Sequence, residues 1–359
     1  MGLLGVQHAD RLHKHSTTQV VAVCDILLDK AKTWAEANST NYYNDCEDML
    51  KKEKIDILVI ATQDPYHKEP LIAACAHNVP FVICEKPLTT TLEDAMEVLK
   101  AAENSDTLIK ILYPNRFYPI DQTIRYLLEK DLIGDIEYGE FRIDDSIDVP
   151  LILWGKDSKH YASISSPVHF LFSHAIDLLG FMLQRKITKV YAIAKQSIIG
   201  SEVDYMDCFL TYEGGIVIRL KTEWTKRIPR LVENYMQMTG KKGGFVFNKT
   251  GGFQCQQGLF FALDEGEDRA KDVQTMISEH GYSSSIEKYG DTGGYAVVMR
   301  EEDKGNAFDW NEGICFYADS FYDAEPKLSP LTSLEDGIEQ VKIVEALHKS
   351  AKEGREIVL

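Results

Sequence analysis

The segment Ile57–Pro87 ends with Glu85-Lys86-Pro87, and its polar residues are of types that could take part in a reaction. This segment contains an apolar strand, a polar turn, a helix and a second apolar strand, after which Glu85-Lys86-Pro87 follows directly. Open α/β sheets bind ligands at the carboxyl ends of their strands, where loops expose polar groups. A lysine held there by a following proline lies where a substrate or cofactor would bind. A surface lysine in a loop is the alternative from position alone, and two further landmarks decide against it.

The second landmark is at the start of the chain, where Gly2 and Gly5 precede Asp25. In a dinucleotide fingerprint, glycines let the backbone approach a pyrophosphate at a helix N-terminus, and an acid bonds the ribose hydroxyls. A GxxG pair alone predicts little, but this one lies one strand before a whole α/β region. We expect the strand and the first glycine that begin such a fingerprint to be absent from this sequence.

Asp25 also bears on the choice of cofactor. A carboxylate at the end of the second strand repels a 2′-phosphate, so the sequence predicts NAD in preference to NADP. The alternative role for Asp25 is to cap the helix that follows it.

Residues up to about 114 alternate between strands and helices. The predicted strands are Gln19–Asp25, Ile55–Thr62, Val79–Cys84 and Leu108–Leu112, and the predicted helices are Leu28–Asn38, Asn44–Lys52, Pro70–His77 and Thr90–Asn104. Thr90 and Glu93 have the spacing of a capping box. Near-continuous apolar strands between helices are typical of a parallel sheet covered on both faces. We therefore predict a doubly wound parallel sheet in the N-terminal part.

After about Pro114 the pattern changes to longer strands joined by turns. The predicted strands are Ile136–Ile143, Ile187–Ala194, Tyr205–Tyr212, Ile216–Thr225 and Leu231–Thr239, and the predicted helices are Ile120–Lys130, Phe170–Leu183 and Glu335–Glu353. Gly214-Gly215 indicates a hairpin, and Thr332 with Glu335 forms a capping box for the last helix. Residues 251–291 fit no element clearly. This pattern predicts a C-terminal α+β domain with a large, mostly antiparallel open sheet.

Length and composition restrict the class of protein. The chain has 359 residues, of which 44% are hydrophobic and 26% charged, and its net charge is −17. Such a chain suits two globular domains, and its charge argues against a nucleic-acid partner and weakly against anionic membranes. No apolar run has the length of a membrane span. Seven widely spaced cysteines without a CxxC pair indicate reduced thiols in a cytoplasmic protein, and neither a disulfide framework nor a metal site is predicted.

Three landmarks together carry a family resemblance. They are the Gly2–Gly5–Asp25 pattern, the run ATQDPYH followed by Glu85-Lys86-Pro87, and Ser173-His174-Ala175-Ile176-Asp177. Along nearly its whole length, the chain resembles the Gfo/Idh/MocA family of oxidoreductases. The resemblance implies an NAD-binding Rossmann domain over residues 1–114 and an α+β domain over residues 115–359. The second domain would bind substrate and form a homo-oligomer, a dimer or a tetramer, through its sheet.

The resemblance also implies roles for individual residues. Those near the cofactor and the reacting carbon are Thr62, Asp64, His67, Glu85, Lys86, Asn115 and Arg116. His174 corresponds to the histidine that transfers the proton, and Asp177, one helical turn later, to a substrate-binding or structural acid.

One position departs from the family pattern. Many dehydrogenases of the family have an aspartate four residues before this histidine, whereas this chain has Phe170, next to His169. Residues four apart share one face of a helix, so a carboxylate there could orient the imidazole, and Phe170 cannot. Either His174 uses another partner, or the proton path differs, or catalysis is lost.

The predicted reaction is hydride transfer between NAD and a secondary alcohol of a polyol or sugar. It needs a general base and a cation that stabilises the developing alkoxide. His174 suits the first role because imidazole titrates near neutral pH, although a histidine on an apolar helix could also be a core residue. Lys86 suits the second role, with general base as its alternative.

Other polar residues leave their roles open. Trp154, His160 and Tyr161 could form a wall that contacts a sugar, or could pack within a loop. The acids Asp144, Asp145 and Asp148 are interpreted as a solvated edge. Two alternative functions remain for the chain: an NAD-assisted enzyme that cleaves glycosides, and a non-catalytic regulatory protein of the same fold that binds a nucleotide or sugar.

Overall fold

The chain forms two compact units. The computed structural model describes residues 1–154, 160–228, 231–248, 258–263, 266–279, 282–289, 294–300, 313–322 and 331–359. The first unit comprises Met1–Phe117 and Asp309–Lys342, and the second comprises Tyr118–Phe308 and Ile343–Leu359.

The first unit alternates helices and strands, as the sequence predicted. Up to Phe117 its elements are α1 (Leu3–Lys14), β1 (Ala22–Cys24), α2 (Leu28–Asn38), β2 (Asn41–Tyr43), α3 (Cys46–Lys52), β3 (Ile57–Ile60), α4 (Lys68–Ala76), β4 (Phe81–Glu85), α5 (Leu92–Glu103) and β5 (Leu108–Leu112). These strands pair in parallel, with β1 beside β2 and a second sheet in the order β3-β4-β5, and an isolated antiparallel bridge joins Ile111 to Thr332. The predicted parallel sheet of Rossmann type is confirmed.

β4 is the central strand of its sheet, and all five of its residues are buried. Phe81 and Ile83 pack in one hydrophobic cluster with Leu112, whereas Val82 and Cys84 pack in another. A strand covered on both faces needs apolar side chains at successive positions, which explains the uninterrupted apolar run before Glu85. Burial raises the pKa of the Cys84 thiol well above its usual range.

The second unit contains one large sheet with helices. Its elements before residue 301 are α6 (Pro119–Glu129), β6 (Ile136–Asp145), α7 (Ser173–Leu183), β7 (Ile187–Lys195), β8 (Tyr205–Tyr212), β9 (Val217–Glu223), β10 (Val232–Gly240), β11 (Gly243–Asn248), β12 (Gly258–Leu263), α8 (Gly266–Glu279), β13 (Ser285–Tyr289) and β14 (Gly294–Arg300). The segment left unassigned from sequence thus contains β12, α8 and β13 in its described residues.

The sheet of the second unit has the strand order β13-β14-β12-β11-β10-β6-β9-β8-β7, followed by β15 (Ile357–Val358). All neighbours are antiparallel except β6 and β9, which confirms the mostly antiparallel open sheet. Gly214 and Gly215 join β8 to β9 with φ of 83° and 86°, the left-handed region that favours glycine, as the hairpin prediction required.

The two faces of this sheet differ in burial. Cys208 and Leu210 of β8 point into the core that α6 and α7 cover, and the intervening Phe209 is exposed. Burial raises the pKa of the Cys208 thiol well above its usual range. Side chains alternate between faces along a strand, so one face is apolar and packed while the other meets solvent.

The chain returns to the first unit near its end. α9 (Gly313–Asp319) packs Ile314 and Tyr317 in the cluster that contains Phe81, and the Tyr317 hydroxyl donates to the Ile111 carbonyl at 2.7 Å. In α10 (Leu334–Glu353), residues up to Lys342 belong to the first unit and later ones to the second. The sequence-based boundary at residue 114 does not include this return, because it depends on contacts between residues about two hundred positions apart.

Both predicted capping boxes are displaced by one residue. Thr91, rather than Thr90, accepts from the Asp94 N–H at 3.2 Å and caps α5. Before α10, the Asp336 N–H donates to the Ser333 hydroxyl at 3.1 Å and the Ser333 N–H donates to the Asp336 carboxylate at 2.9 Å. The correct pair is therefore Ser333 with Asp336, because the Thr332 hydroxyl instead donates to the Ile111 carbonyl.

The cysteines and helices give two further observations. The six described cysteines are all free thiols, and Cys255 lies outside the described residues.

Within the described part of the chain, every helix is too short or too polar to cross a membrane.

Candidate functional site

Three loops of the first unit follow neighbouring parallel strands and meet at one edge of the sheet. Ile60 of β3 pairs with Cys84 of β4, and Glu85 pairs with Leu112 of β5, so the three carboxyl ends are level. The structure thereby brings together the predicted residues that follow these strands: Thr62, Asp64, His67, Glu85, Lys86, Asn115 and Arg116. Of these, Thr62 is exposed, Asn115 and Arg116 are half-buried, and the others are buried.

His67 connects two of these loops. Its Nδ1 lies 2.6 Å from the Pro87 carbonyl oxygen, and its Nε2 lies 3.1 Å from the Thr62 carbonyl oxygen. The Thr62 hydroxyl donates to the Tyr66 carbonyl at 2.8 Å within the turn after β3. His67 therefore positions the backbone around Lys86, and its closeness to a cofactor stays a prediction.

Glu85 has a buried partner that the sequence did not predict. His8, on α1, places its Nε2 2.7 Å from the Glu85 Oε1, and both side chains are buried. Burial alone raises the pKa of Glu85, but the His8 hydrogen bond and the charges of His8, Lys86 and His67 outweigh it, so the pKa is lowered. Glu85 is therefore an ionised carboxylate inside the protein. No short motif could have indicated this pair, because 77 positions separate its residues.

Lys86 lies directly beside this carboxylate. Its residue is 5% exposed, and its backbone N–H donates to the Glu85 Oε2 at 3.2 Å. The Lys86–Pro87 peptide bond is cis. The surface-lysine alternative is wrong, since the side chain is buried at the carboxyl end of the central strand.

The start of α1 suits a pyrophosphate. Gly2 precedes the helix without a side-chain cap, the first turn has no acid, and a Cβ at Gly2 would meet nothing within 4 Å. At Gly5 a Cβ would make only ordinary contacts, the nearest being the Ala61 Cβ at 3.9 Å. Uncapped N–H groups at a helix N-terminus bind anions, so the backbone present fits a dinucleotide phosphate.

Asp25 lies after β1 and has two partners. Its Oδ1 accepts from the Leu27 N–H at 2.8 Å, which supports the turn before α2, and its Oδ2 pairs with the Met1 ammonium group. Asp25 does not cap α2 as the alternative role required, since the N-cap position is Leu27 and no side chain caps it. Contact with a ribose stays a prediction.

In the second unit, α7 carries His174 and Asp177. A π-helical turn, Val168–Phe172, precedes α7. His174 is half-buried and Asp177 is buried. Because residues three apart share a helix face, the two side chains lie on one side of α7.

Phe170 is part of an aromatic cluster with Trp154, Tyr161 and Trp224. Its ring centroid lies 5.8 Å from that of Trp154, 5.9 Å from that of Tyr161 and 6.0 Å from that of Trp224. Tyr161 is 3% exposed, whereas Trp154 and Phe170 are half-buried and His160 is exposed. The structure thus favours the alternative in which Tyr161 packs inside the protein. Phe170, at the position where many family members have an aspartate, packs against these aromatic rings.

The three acids Asp144, Asp145 and Asp148 do not form the solvated edge that was predicted from the sequence. Asp144 is fully buried, and its carboxylate lies 2.9 Å from the Lys221 Nζ, 2.5 Å from the Arg142 Nε and 3.3 Å from the Lys226 Nζ. Asp145 is also buried and accepts from the Trp224 indole N–H at 3.3 Å. That prediction is wrong for Asp144 and Asp145, because cations neutralise the first and an indole N–H binds the second inside the unit. Asp148 is half-buried and lies 2.7 Å from the exposed Arg227.

Comparison with known proteins identifies the family. A family model described as an oxidoreductase family with an NAD-binding Rossmann fold matches residues 1–113, and one for the GFO/IDH/MocA C-terminal domain matches residues 122–246. The chain belongs to the Gfo/Idh/MocA family. The predicted family, fold class and NAD-binding Rossmann domain are confirmed.

Curated relatives of this family member match over part of its length. Trans-1,2-dihydrobenzene-1,2-diol dehydrogenase from Xenopus laevis is 32% identical over 33% of this chain and 36% of its own. Inositol 2-dehydrogenase from Salmonella typhimurium is 27% identical over 55% of this chain and 58% of its own. The match thus spans between about a third and three fifths of these relatives.

Solved structures share the fold over the whole chain. WlbA dehydrogenase from Bordetella pertussis, solved with NADH and UDP-GlcNAcA, superposes with a TM-score of 0.75 at 18% identity, covering 100% of this chain and 95% of the other. Myo-inositol 2-dehydrogenase from Lactobacillus plantarum gives 0.72 at 18% identity, covering 100% and 97%.

Proposed function

We propose that this family member is a dehydrogenase that uses NAD to oxidise, or to regenerate, a secondary alcohol of a polyol or sugar. The observation that carries the proposal is the buried Glu85–Lys86 pair, held by His8 at the carboxyl edge of a Rossmann sheet. Relatives named inositol 2-dehydrogenase and dihydrobenzenediol dehydrogenase favour a cyclic compound with hydroxyl groups as the substrate class.

NAD would be held by the first unit and would supply hydride transfer at its nicotinamide. The N-terminus of α1, with Gly2 and Gly5, would bind the pyrophosphate, and Asp25 would bond the ribose. The carboxylate of Asp25 would repel a 2′-phosphate, which supports NAD over NADP.

Lys86 would stabilise the charge that develops in the reaction, and His174 would transfer the proton. The Lys86 ammonium would stabilise an alkoxide as it develops, and in the reducing direction it would donate a proton. His174 would take the hydroxyl proton through its imidazole, and Asp177, one turn along α7, would bind substrate or fix the ring. His67 and Glu85 would keep the Lys86 segment in place.

Trp154 is the better candidate of the two aromatic residues proposed for substrate contact. It is half-buried, so part of its ring remains available to a sugar, whereas Tyr161 is almost wholly enclosed. The replacement of the usual aspartate by Phe170 supports one alternative function, a non-catalytic protein that binds the same ligands.

Assembly of identical chains through the large sheet also has support. Tyr191 of β7 pairs with Phe209 of β8, and both are exposed together with Ile193 and Tyr138. Large apolar side chains on the open face of a sheet are typical of a surface that another protein covers.

The test is a fluorescence titration of this chain with NADH and, separately, NADPH, followed by turnover with myo-inositol and a panel of cyclic polyols. Saturable NADH binding, weaker NADPH binding and NADH production from a polyol are expected. Tight NADH binding without turnover on any polyol would favour the non-catalytic alternative. With an aryl glycoside added to the panel, release of the aryl alcohol without net NADH would favour glycoside chemistry.

A further inference from the structure

A cluster of two histidines and one carboxylate lies in the second unit and includes none of the residues given a role above. His169 is on the π-helical turn before α7, Glu202 is in the loop between β7 and β8, and His348 is on α10. One ligand atom from each lies within 4.8 Å of the other two. The imidazole rings of His169 and His348 stack, with centroids 5.5 Å apart and planes inclined by 21°.

The distances in this cluster are too long for hydrogen bonds. The His169 Nε2 lies 3.7 Å from one Glu202 oxygen, and the His348 Nδ1 lies 3.9 Å from the other. A hydrogen bond joins heavy atoms about 2.7–3.2 Å apart. By contrast, ligand atoms about 2.0–2.1 Å from a tetrahedral ion lie roughly 3.4 Å from each other. The two histidine–carboxylate distances, measured to the two oxygens of Glu202, are therefore closer to the separation of ligand atoms around an ion than to a hydrogen bond.

His348 presents its Nδ1 to the carboxylate of Glu202, 3.9 Å away. Its other ring nitrogen, Nε2, is buried, and the described residues provide it with no hydrogen-bond partner, so neither nitrogen is committed to a hydrogen bond that an ion would have to displace.

A rigid loop presents Glu202 to the histidines. The buried carboxylate of Asp204 accepts from the backbone N–H groups of Ser197, Ile198, Ile199 and Ser201 at 2.7–3.1 Å, and from the Ser201 hydroxyl. These bonds fix the backbone on both sides of the turn that carries Glu202. The Glu202 side chain is 67% exposed, so an ion can enter from solvent without opening the core.

We propose that His169, Glu202 and His348 form a binding site for a divalent transition metal ion such as Zn²⁺. Two imidazoles and one carboxylate are ligands that suit zinc, and they leave a coordination position for water. A bound ion would tie the segment before α7, the loop between β7 and β8, and α10 together. Asp204 acts as a positioning residue for this site. The prediction of no metal site considered cysteines and acids, and these three residues, 33 and 146 positions apart in sequence, gave no motif.

The site is tested with Zn²⁺ by competition against a chromophoric chelator, on the full chain after treatment with EDTA. One ion per chain is expected, with affinity at least about 100-fold lower in Glu202→Gln and His348→Ala, since even indirect contacts to a metal are worth about 10–100-fold. His77→Ala is the matched control, because His77 lies 2.9 Å from Glu47 in a histidine–carboxylate pair that has no second histidine. Its affinity should equal that of the wild type.

Cobalt substitution distinguishes these ligands from the cysteines. Co²⁺ bound by nitrogen and oxygen gives ligand-field bands without a thiolate charge-transfer band, and Glu202→Gln should abolish them. Glu202→Gln changes an exposed side chain, so it keeps the test valid if His348→Ala does not fold. Equal zinc affinity in wild type and Glu202→Gln, a thiolate band, or no binding by the wild type would each overturn the proposal.

Discussion

The imidazole of His8 lies 2.7 Å from the carboxylate of Glu85, and both groups are buried in the first unit. This contact fixes the first helix to the end of the central strand, next to Lys86. It also keeps a carboxylate ionised inside the protein, which has consequences for stability that can be measured.

Replacing His8 with alanine should lower the free energy of unfolding by about 3 kcal/mol, because it leaves a buried charge without its partner. Urea denaturation at neutral pH measures the loss. His15→Ala is the matched control: His15 lies 2.8 Å from Asp319, but both side chains are partly exposed. That variant should lose less than about 1 kcal/mol. Equal losses in the two variants would contradict the role given to the buried pair.

The cost of His8→Ala should depend on pH. The pKa of Glu85 is lowered in the folded protein, so the stability that it contributes is present above the ordinary glutamate pKa of about 4.3. That stability is lost as the pH falls through the folded value. The difference between wild type and His8→Ala should therefore shrink in acid, and a difference that grows on acidification would exclude this origin.

Lys86→Met and His174→Ala should each lower kcat by about 10²- to 10⁴-fold while NADH still binds. Lys86→Met keeps an apolar side chain at a buried position, so the fold should survive, as circular dichroism can check. Lys68→Met, which removes a lysine that pairs with Asp94 on the same unit, should leave kcat unchanged. Turnover close to that of the wild type in both variants would contradict the proposed mechanism.

Asp25→Asn should raise affinity for NADPH relative to NADH by at least about tenfold, since it removes a charge that repels the 2′-phosphate. Asparagine keeps an oxygen that can accept from the Leu27 N–H, so the turn before α2 is preserved. Asp29→Asn, an exposed acid in the first turn of α2, serves as the control. An unchanged ratio in Asp25→Asn would show that Asp25 acts only on the turn.

Phe170→Asp should destabilise the protein by about 3 kcal/mol, because it places a carboxylate among Trp154, Tyr161 and Trp224. Phe170→Leu should lose less, about 1–2 kcal/mol, since only packing is reduced. Thermal unfolding of the two variants makes the comparison. If Phe170→Asp instead raises kcat without loss of stability, the aromatic cluster tolerates the family's usual carboxylate.

Asp204→Ala should cost about 3 kcal/mol, because several backbone N–H groups of one loop lose their acceptor. Burial raises the pKa of Asp204, but the Ser201 and backbone hydrogen bonds outweigh it and the pKa is lowered. The contribution is therefore present above the ordinary aspartate pKa of about 3.9 and is lost in acid. Asp204→Asn, with one oxygen left to accept, should fall between wild type and alanine in urea denaturation.

The sequence predicted those features that local patterns determine. The apolar run Val79–Cys84 predicted a buried strand, and the position of Lys86 at its end followed from the topology of parallel sheets. The strand Tyr205–Tyr212 has the predicted bounds, because its side chains alternate between a buried and an exposed face.

Features that depend on distant pairing were missed. His8 gave no signal because its partner is on another element, and the burial of Asp144 requires Lys221, which lies near it only once β6 and β9 are paired in parallel. The caps of α5 and α10 were displaced by one residue, because neighbouring serine, threonine and acidic residues offer equivalent spacings.

Among the six described cysteines, one in each unit has a fully buried thiol, and its reactivity can report on the opening of that unit. Cys84 lies in the central strand of the first unit and Cys208 in the large sheet of the second, and burial raises the pKa of both. The thiolate is the form that attacks a thiol reagent, so each cysteine reacts only when its strand is released to solvent. Mass spectrometry of labelled peptides would therefore give a separate opening rate for each unit in the unmodified protein, without any introduced probe.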